Sequence, residues 1–301
     1  MRSHGAPIDV ERQRLYTKLL IPLLLCAATL CGCKSVFFGT VGILGGHDAQ
    51  VHADITFDAP HALKLDVYSP QGAAAAPVVV FFYGGAWING ERAWYRYAGE
   101  ALSRHGIVVV IPDYRKSPQV KFPAFMDDAA QAVVWARANA AQYGGDPTRL
   151  FAMGHSAGAH IGALLATDAR YLARVNMKPR NLAGFIGLAG PYDFAPFTDA
   201  YLLEIFGSDA DAQQAAMPAS YVDGDEPPML LLQGLADTTV RPGNTRSLAA
   251  KLVAHGEPVE TKFYPGIGHT RIALSLVSSF SGWATALADT LDFIARQAPA
   301  R

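Results

Sequence analysis

The segment that most constrains this chain is the run RLFAMGHSAGAHIGALLA at residues 149–166. An apolar stretch there meets Gly154-His155-Ser156-Ala157-Gly158 and continues into small, helix-forming residues. The sequence therefore predicts a strand, a sharp turn and a helix, with Ser156 at the apex of the turn. Glycine is expected on both sides because a side chain at either position would collide with neighbouring backbone in so tight a turn.

Such a turn has a chemical use. It exposes the Ser156 hydroxyl as a nucleophile, and the backbone N–H of Ala157 at the helix start can face a developing oxyanion. The G-x-S-x-G spacing is short, however, and also suits a small-residue turn that only lets a helix pack closely on a sheet. A nucleophilic serine further requires a base, an orienting acid and a second oxyanion donor elsewhere in the chain.

The rest of the chain alternates apolar runs with helical patterns, and half of its 301 residues are hydrophobic, which is enough for a large core. We expect strands at residues 51–57, 62–68, 77–83, 107–112, 182–189, 229–233 and 259–264, and helices at 91–105, 123–142, 245–255 and 283–297. This alternation predicts an α/β fold with a mostly parallel, doubly wound sheet, preceded by an antiparallel hairpin. Residues 191–226 are interpreted as an irregular, aromatic-rich excursion over the sheet edge.

Two polar residues follow the last two expected strands. Asp237 lies in the loop after residues 229–233, and His269 follows residues 259–264 in a glycine-rich loop. Open α/β sheets hold their sites at the carboxyl ends of strands, so both side chains are expected near Ser156. The chain order of serine, acid and histidine predicts that Asp237 orients His269, which then acts as the base.

The sequence also offers rival acids and histidines, namely Asp193, Asp223, Asp225, His155, His160 and His255. Asp193 is interpreted as holding a loop, and the other two acids as solvated turn residues. His155 is expected to point away from the site in such a turn. His160 begins the following helix, and His255 is expected at a helix C-terminus, where a positive charge is favourable.

A second glycine-rich stretch, YGGAW at residues 83–87, follows an early strand. Its backbone is predicted to supply the N–H groups of Gly85 and Ala86 to the oxyanion, together with that of Ala157. The alternative is a simple turn that closes the strand. Aromatic side chains are predicted to wall an apolar acyl pocket, or alternatively only to pack the excursion onto the sheet: Trp87, from the opposite side, and Phe194, Phe197 and Phe206.

These parts together make the chain similar to α/β-hydrolase esterases of the hormone-sensitive-lipase and feruloyl-esterase-like (BD-FAE) grouping. The similar motifs are YGGAW at 83–87, DYR at 113–115, GDP at 145–147 and GHSAGAH at 154–160, the last typical of feruloyl-esterase-like and kynurenine-formamidase-like members. The similarity covers roughly residues 62–297. One departure is Tyr83, which stands where the grouping has a histidine that supports the loop.

The resemblance implies an α/β-hydrolase fold and hydrolysis of small carboxylic esters with short to medium acyl chains, without metal or cofactor. An arylformamidase-like amidase is the alternative within this chemistry. A non-catalytic lipoprotein that keeps the fold as a binding surface is the alternative outside it. With a formal net charge of −1 and no basic patch, the composition does not favour nucleic-acid binding, and it leaves the oligomeric state open.

The N-terminus resembles a bacterial lipoprotein signal. Basic residues precede a short apolar run at 19–30, which leads into Leu30-Cys31-Gly32-Cys33. The resemblance implies a signal peptide at 1–33, lipidation of Cys33, a linker at 34–50 and a hydrolase domain at 51–301, exported and anchored to a membrane. A plain secretory signal or a short anchor is the alternative. All three cysteines lie in this segment, so the domain itself has neither disulfides nor cysteine-ligated metals.

Overall fold

One mixed sheet of eight strands organises residues 49–300, the part of the chain that this computed structural model describes. The strands are β1 (Gln50–Asp58), β2 (Leu63–Ser69), β3 (Ala76–Phe82), β4 (Val108–Pro112), β5 (Gly145–His155), β6 (Gly184–Leu188), β7 (Met229–Gly234) and β8 (Val259–Tyr264). Their spatial order is β1-β2-β4-β3-β5-β6-β7-β8. The β1–β2 and β2–β4 pairs are antiparallel, and all other pairs are parallel, which confirms the predicted sheet and its N-terminal hairpin.

Nine α-helices lie within the described residues. They are α1 (Arg96–Ser103), α2 (Ala124–Asn139), α3 (Ala157–Thr167), α4 (Ala169–Ala173), α5 (Ala200–Phe206), α6 (Ala210–Ala215), α7 (Gly243–Ala254), α8 (His269–Leu274) and α9 (Ala286–Arg296). The helix after the elbow, α3, packs on β5, β6 and β3, and α2 packs on β5, β3 and β4. Helix α7 lies against β8 and β7 at the far edge of the sheet.

The core follows the central strands. All residues of 78–82 in β3, 150–153 in β5 and 229–232 in β7 are inaccessible to solvent. Strands covered on both faces have no solvent side, so they are continuous apolar runs rather than alternating ones. The carboxyl ends of these strands are therefore held on a rigid base, and the loops that leave them inherit fixed positions.

The structure differs from the sequence prediction in its short elements. Residues 191–226 are not irregular throughout, since they contain α5, α6 and a 3₁₀ turn at Pro218–Ser220. The sequence analysis also does not predict α8, which begins at His269 itself. Helices of six or seven residues span less than two turns, so their sequences show too few repeats of the helical period to be recognised.

Residues 1–48 and Arg301 lie outside the described part of the chain. The predicted signal peptide and Cys33 therefore cannot be placed in the fold. Within residues 49–300, no helix combines the length and the apolarity needed to cross a membrane.

Candidate active site

The turn between β5 and α3 holds Ser156 in a conformation that side chains rarely adopt, with φ of 56° and ψ of −122°. Its N–H donates to the Leu188 carbonyl at 2.9 Å, which holds the turn against the end of β6. A Cβ at Gly154 would overlap the Gly158 carbonyl, and one at Gly158 would overlap the carbonyl of Phe82. The two glycines are thus required by backbone-to-backbone contact around the serine.

Three side chains from separate loops meet at this turn. The Nε2 atom of His269 lies 2.9 Å from the Ser156 hydroxyl, and its Nδ1 atom lies 2.8 Å from Oδ2 of Asp237. An ionised carboxylate only accepts hydrogen bonds, so the Nδ1 atom carries the imidazole proton. The unprotonated Nε2 then faces the hydroxyl, which is the arrangement needed to remove its proton.

Asp237 is buried, yet its carboxylate is fully supplied with donors. Oδ1 accepts the backbone N–H groups of Thr239 and Val240, each at 2.9 Å. Burial raises the pKa of Asp237, but the hydrogen bond from His269, the charge that His269 carries when protonated and these two N–H groups lower it by more, so the pKa lies below its usual value. The group therefore remains a carboxylate beside the imidazole.

Sequence reasoning missed Gln233, the last side chain of β7 before the acid loop. Its amide donates to Oδ2 of Asp237 at 3.2 Å and to the Val240 carbonyl at 3.1 Å, while its carbonyl accepts the Thr245 hydroxyl at 3.1 Å. It is completely buried. A polar residue closing the apolar run Met229–Leu232 was the signal that could have identified it.

The rival acids have other partners. Asp193 bonds to the Ser247 hydroxyl, and Asp225 forms an ion pair with Arg180 at 2.8 Å. Asp223 accepts the backbone N–H of Asp225 at 3.2 Å. These contacts agree with the interpretation of the three acids as loop and surface residues.

The expectation that His155 points away from the site is wrong. Its ring lines the smaller cavity at Ser156 and packs against His269. Nε2 of His155 lies 3.0 Å from the carbonyl oxygen of His269, and the two rings are 4.8 Å apart. Burial, and then the charge that His269 carries when protonated, lower the pKa of His155 to about 3, so the ring is neutral.

His160, in the first turn of α3, is also buried and neutral. Its Nδ1 accepts the indole N–H of Trp87 at 3.3 Å, and its Nε2 donates to the Ala216 carbonyl at 2.7 Å. Burial lowers its pKa to about 4. His160 therefore ties the 83–87 loop to the excursion between β6 and β7.

The 83–87 loop bends sharply after β3. Gly85, Ala86 and Trp87 all have positive φ values, of 147°, 54° and 58°. The Gly85 carbonyl accepts the N–H groups of Ile88 at 3.2 Å and Asn89 at 2.9 Å, which closes the turn. Gly85 and Ala86 line a cavity that also contains Ser156, and Ala157 is the first residue of α3.

Tyr83 supports the base of this loop. Its backbone carbonyl accepts the Tyr114 hydroxyl at 2.8 Å, and its own hydroxyl accepts from Lys116 Nζ at 3.0 Å. Its ring stacks on Tyr114 with centroids 4.6 Å apart. A tyrosine in the position of the usual histidine is therefore still anchored to the segment after β4.

Two cavities reach Ser156. The larger, of about 660 Å³, is walled by Trp87, Phe194 and Phe197, with Asp193 and Arg241 among its polar lining residues. The smaller, of about 300 Å³, is lined on the histidine side by His269, Asn89, Trp94 and Thr270. The larger cavity has a mixed polar and apolar lining, the smaller one is mostly apolar, and both open on Ser156.

Two pocket expectations need correction. Trp87 does not face the excursion from the opposite side, since it lies on the same wall as Phe194, with ring centroids 6.1 Å apart. Phe206 does not line this cavity. It packs edge-on behind Trp87 at 4.9 Å and lines a separate cavity with Phe122. Phe206 ends α5, and the packing of that short helix turns its side chain into the aromatic cluster.

Comparison with known proteins finds similar sequences. The BD-FAE family model matches residues 65–252. An isoprenylcysteine alpha-carbonyl methylesterase of Arabidopsis thaliana is 30% identical over 246 residues, covering 75% of this chain and 58% of that protein. The esterase LipC of Mycobacterium tuberculosis is 31% identical over 228 residues, covering 69% of this chain and 57% of LipC.

A solved structure shows the same fold. An esterase of Pyrobaculum calidifontis superposes with a TM-score of 0.73 at 22% identity, covering 89% of this chain and 92% of that one. These matches confirm the resemblance and the α/β-hydrolase fold that the motifs predict. This chain spans about half to three fifths of the length of the curated plant and mycobacterial relatives it matches.

The two buried neutral histidines predict an acid-sensitive fold. Ordinary histidines titrate near pH 6.5, whereas His155 and His160 do so near 3 and 4 in the folded protein. As the pH falls below 6.5, the unfolded chain binds protons that the folded one excludes, so stability is lost. Each histidine contributes up to about 1.4 kcal/mol per pH unit to this slope.

Urea unfolding between pH 7.5 and 4.5 measures the slope. His160→Gln should reduce the pH slope of the free energy of unfolding by about 1.4 kcal/mol per pH unit, the contribution of one proton, whatever its effect on stability at neutral pH. His255→Gln is the matched control, because His255 is exposed at the end of α7. An unchanged slope in His160→Gln would contradict the prediction.

Proposed function

The chain belongs to the BD-FAE family, and from that premise we propose that it is a serine hydrolase of small carboxylic esters. The observation that carries the proposal is the unbroken line of hydrogen bonds from Asp237 through His269 to Ser156. It lies beside two cavities that can hold the two halves of an ester. Relatives named as esterases support the same reaction class.

The proposed reaction begins with attack of the Ser156 oxygen on the acyl carbon, while Nε2 of His269 takes the hydroxyl proton. The tetrahedral oxyanion is bound by the N–H groups of Gly85, Ala86 and Ala157. His269 then gives its proton to the leaving alcohol, and the acyl group stays on Ser156. Water, deprotonated by His269, releases the acid, and Asp237 stabilises the imidazolium in both steps.

The two cavities suggest how the ester lies. The leaving oxygen must reach Nε2 of His269, so the alcohol belongs in the smaller cavity, which His269 lines. The acyl chain then extends into the larger cavity toward Trp87 and Phe197, which are both buried. A long chain would need an open groove or a mobile lid. We therefore propose substrates with short to medium acyl chains.

The triad assignment predicts large losses of turnover. Ser156→Ala and His269→Ala should each reduce kcat for p-nitrophenyl acetate by roughly three orders of magnitude or more, with folding intact. Asp237→Asn should also be strongly impaired, because the imidazole tautomer is no longer held. Asp193→Asn tests the rival acid, and Asp225→Asn, whose carboxylate pairs with Arg180 at 2.8 Å, is the matched control.

Near-normal turnover in either Ser156→Ala or His269→Ala would reject the triad. A severe defect in Asp193→Asn beside a mild one in Asp237→Asn would identify a different acid. Turnover of an N-formyl anilide well above that of every ester would favour the arylformamidase-like alternative. Tight binding of esters without turnover would favour the non-catalytic one.

The acyl-chain proposal predicts a maximum in kcat/KM within a series of p-nitrophenyl esters from acetate to palmitate. Phe197→Ala should move the maximum to longer chains, because it removes one wall of the larger cavity. Phe263→Ala, a half-buried phenylalanine on the edge strand β8, should leave the maximum in place. A kcat/KM that climbs steadily to palmitate in the wild type would overturn the compact-pocket proposal.

We also propose that the chain is exported and anchored to a membrane by a lipid on Cys33. Support comes from sequence alone, in the apolar run at residues 19–30 followed by Leu30-Cys31-Gly32-Cys33. Removal of residues 1–32 would make Cys33 the N-terminal residue. A linker would then separate the lipid from the sheet, which begins at Gln50.

Labelling of cells with an alkyne fatty acid tests the anchor. Cys33→Ala should lose the label and leave the membrane fraction or remain unprocessed. Cys26→Ala, a cysteine within the apolar run, should keep both label and location. Equal labelling of the wild type and Cys33→Ala would contradict the lipoprotein proposal.

A further inference from the structure

Two buried side chains that the proposed reaction does not use connect the catalytic histidine to the 83–87 loop, which is proposed to bind the oxyanion and is called the oxyanion loop below. The His155 ring reaches the His269 carbonyl with Nε2 at 3.0 Å, and the Tyr95 hydroxyl with Nδ1 at 2.7 Å. Gly84, in the 83–87 loop, lies against the same Tyr95 hydroxyl, with no room for a side chain between them. The line therefore runs from Gly84 through Tyr95 and His155 to His269.

Hydrogen-bond chemistry fixes the direction of both hydrogen bonds of His155. A carbonyl oxygen only accepts, so Nε2 of His155 carries the ring proton and donates to His269. The neutral ring then has only a lone pair at Nδ1, so the Tyr95 hydroxyl donates to it. No member of the line has a free proton, and neither nitrogen of His155 is left to act as a second base.

Packing around these bonds is tight. Tyr95 and His155 are each about 5% exposed, and the Tyr95 ring is packed between Phe81 and Tyr97, with centroids 5.6 and 5.7 Å away. A Cβ at Gly84 would lie 2.9 Å from the Tyr95 hydroxyl and 3.1 Å from Nδ1 of His155. The absence of a side chain at Gly84 is thus what lets the loop approach this pair.

We propose that Tyr95 and His155 are positioning residues that hold the base His269 and the oxyanion loop at a fixed separation around Ser156. The proposal rests on the proposed serine-hydrolase function. His269 begins α8 directly after a glycine-rich loop. One tether on the acid side holds that loop, where the Ala236 N–H donates to the Ile267 carbonyl at 3.0 Å. The His155 tether holds the other side.

Positioning of this kind acts on turnover more than on binding. An attacking hydroxyl, its base and the oxyanion donors must be aligned together, and a displacement of about 1 Å can cost about 100-fold in rate. Tyr95 and His155 touch the main chain of the base and of the loop, not the reacting atoms. Loss of either should therefore lower kcat while KM for a small ester stays within about threefold.

Tyr95→Phe, His155→Leu and His155→Gln separate positioning from simple stability. Tyr95→Phe removes only the hydroxyl and should lower kcat for p-nitrophenyl acetate about tenfold. His155→Leu should lower it about 100-fold. His155→Gln offers an amide N–H to the His269 carbonyl and an amide oxygen to Tyr95, so it should recover most of the rate. Tyr221→Phe is the control, since that hydroxyl donates to the Ala215 carbonyl at 3.0 Å away from the site.

A second readout does not need an ester substrate. The rate at which a fluorophosphonate labels Ser156, followed by mass spectrometry, depends on the same base and oxyanion loop. Tyr95→Phe and His155→Leu should be labelled more slowly in the same proportion as kcat falls, whereas Tyr221→Phe should match the wild type. Thermal unfolding of each variant shows how much stability is lost in parallel.

Labelling of Tyr95→Phe and His155→Leu at the wild-type rate would overturn the positioning proposal and leave the serine-hydrolase proposal standing. A failure of His155→Gln to exceed His155→Leu, at equal stability, would also overturn it. A wild-type protein that neither hydrolyses any ester nor is labelled at Ser156 would instead reject the proposed function, and the positioning role with it.

Discussion

The close contact of backbone with backbone at the 154–158 turn is the constraint on which the rest of the site depends. Helix α3 can begin directly against β5 and β3 only because Gly154 and Gly158 carry no side chains. That contact holds Ser156 at a positive φ, which a serine would not adopt on its own. From this one turn the Ser156 hydroxyl faces His269, and the preceding His155 reaches the main chain of the same residue on the other side.

Buried polar groups around the turn are costly unless each one has a partner, and here the partners decide the protonation states. Asp237 stays ionised because two backbone N–H groups and His269 donate hydrogen bonds to its carboxylate. His155 and His160 are neutral because burial disfavours their charged forms. A site with one carboxylate, one base and two neutral histidines leaves a single imidazole able to exchange a proton with the serine.

The same residues that shape the site also connect it to the variable part of the fold. His160 holds the Trp87 indole and the Ala216 carbonyl, so the 83–87 loop and the excursion share one buried anchor. The aromatic cluster around it, with Phe194 and Phe206, fills the space between α3 and the excursion. A change in the excursion would therefore alter both the wall of the larger cavity and the support of the 83–87 loop.

The sequence by itself determined the elbow, the order of Ser156, Asp237 and His269, and the strands of the sheet. These features depend on local rules, because the turn needs glycines, buried strands need continuous apolar runs, and parallel strands bring their carboxyl ends to one edge. Only the tertiary structure decided that His155 contacts His269, 114 residues further along the chain, and that Phe197 lines the cavity while Phe206 lies behind it. Those outcomes depend on how loops from different strands pack against one another. The hydrophobic periodicity of a short segment reports only which face of that segment is buried, so it cannot predict contacts between distant loops.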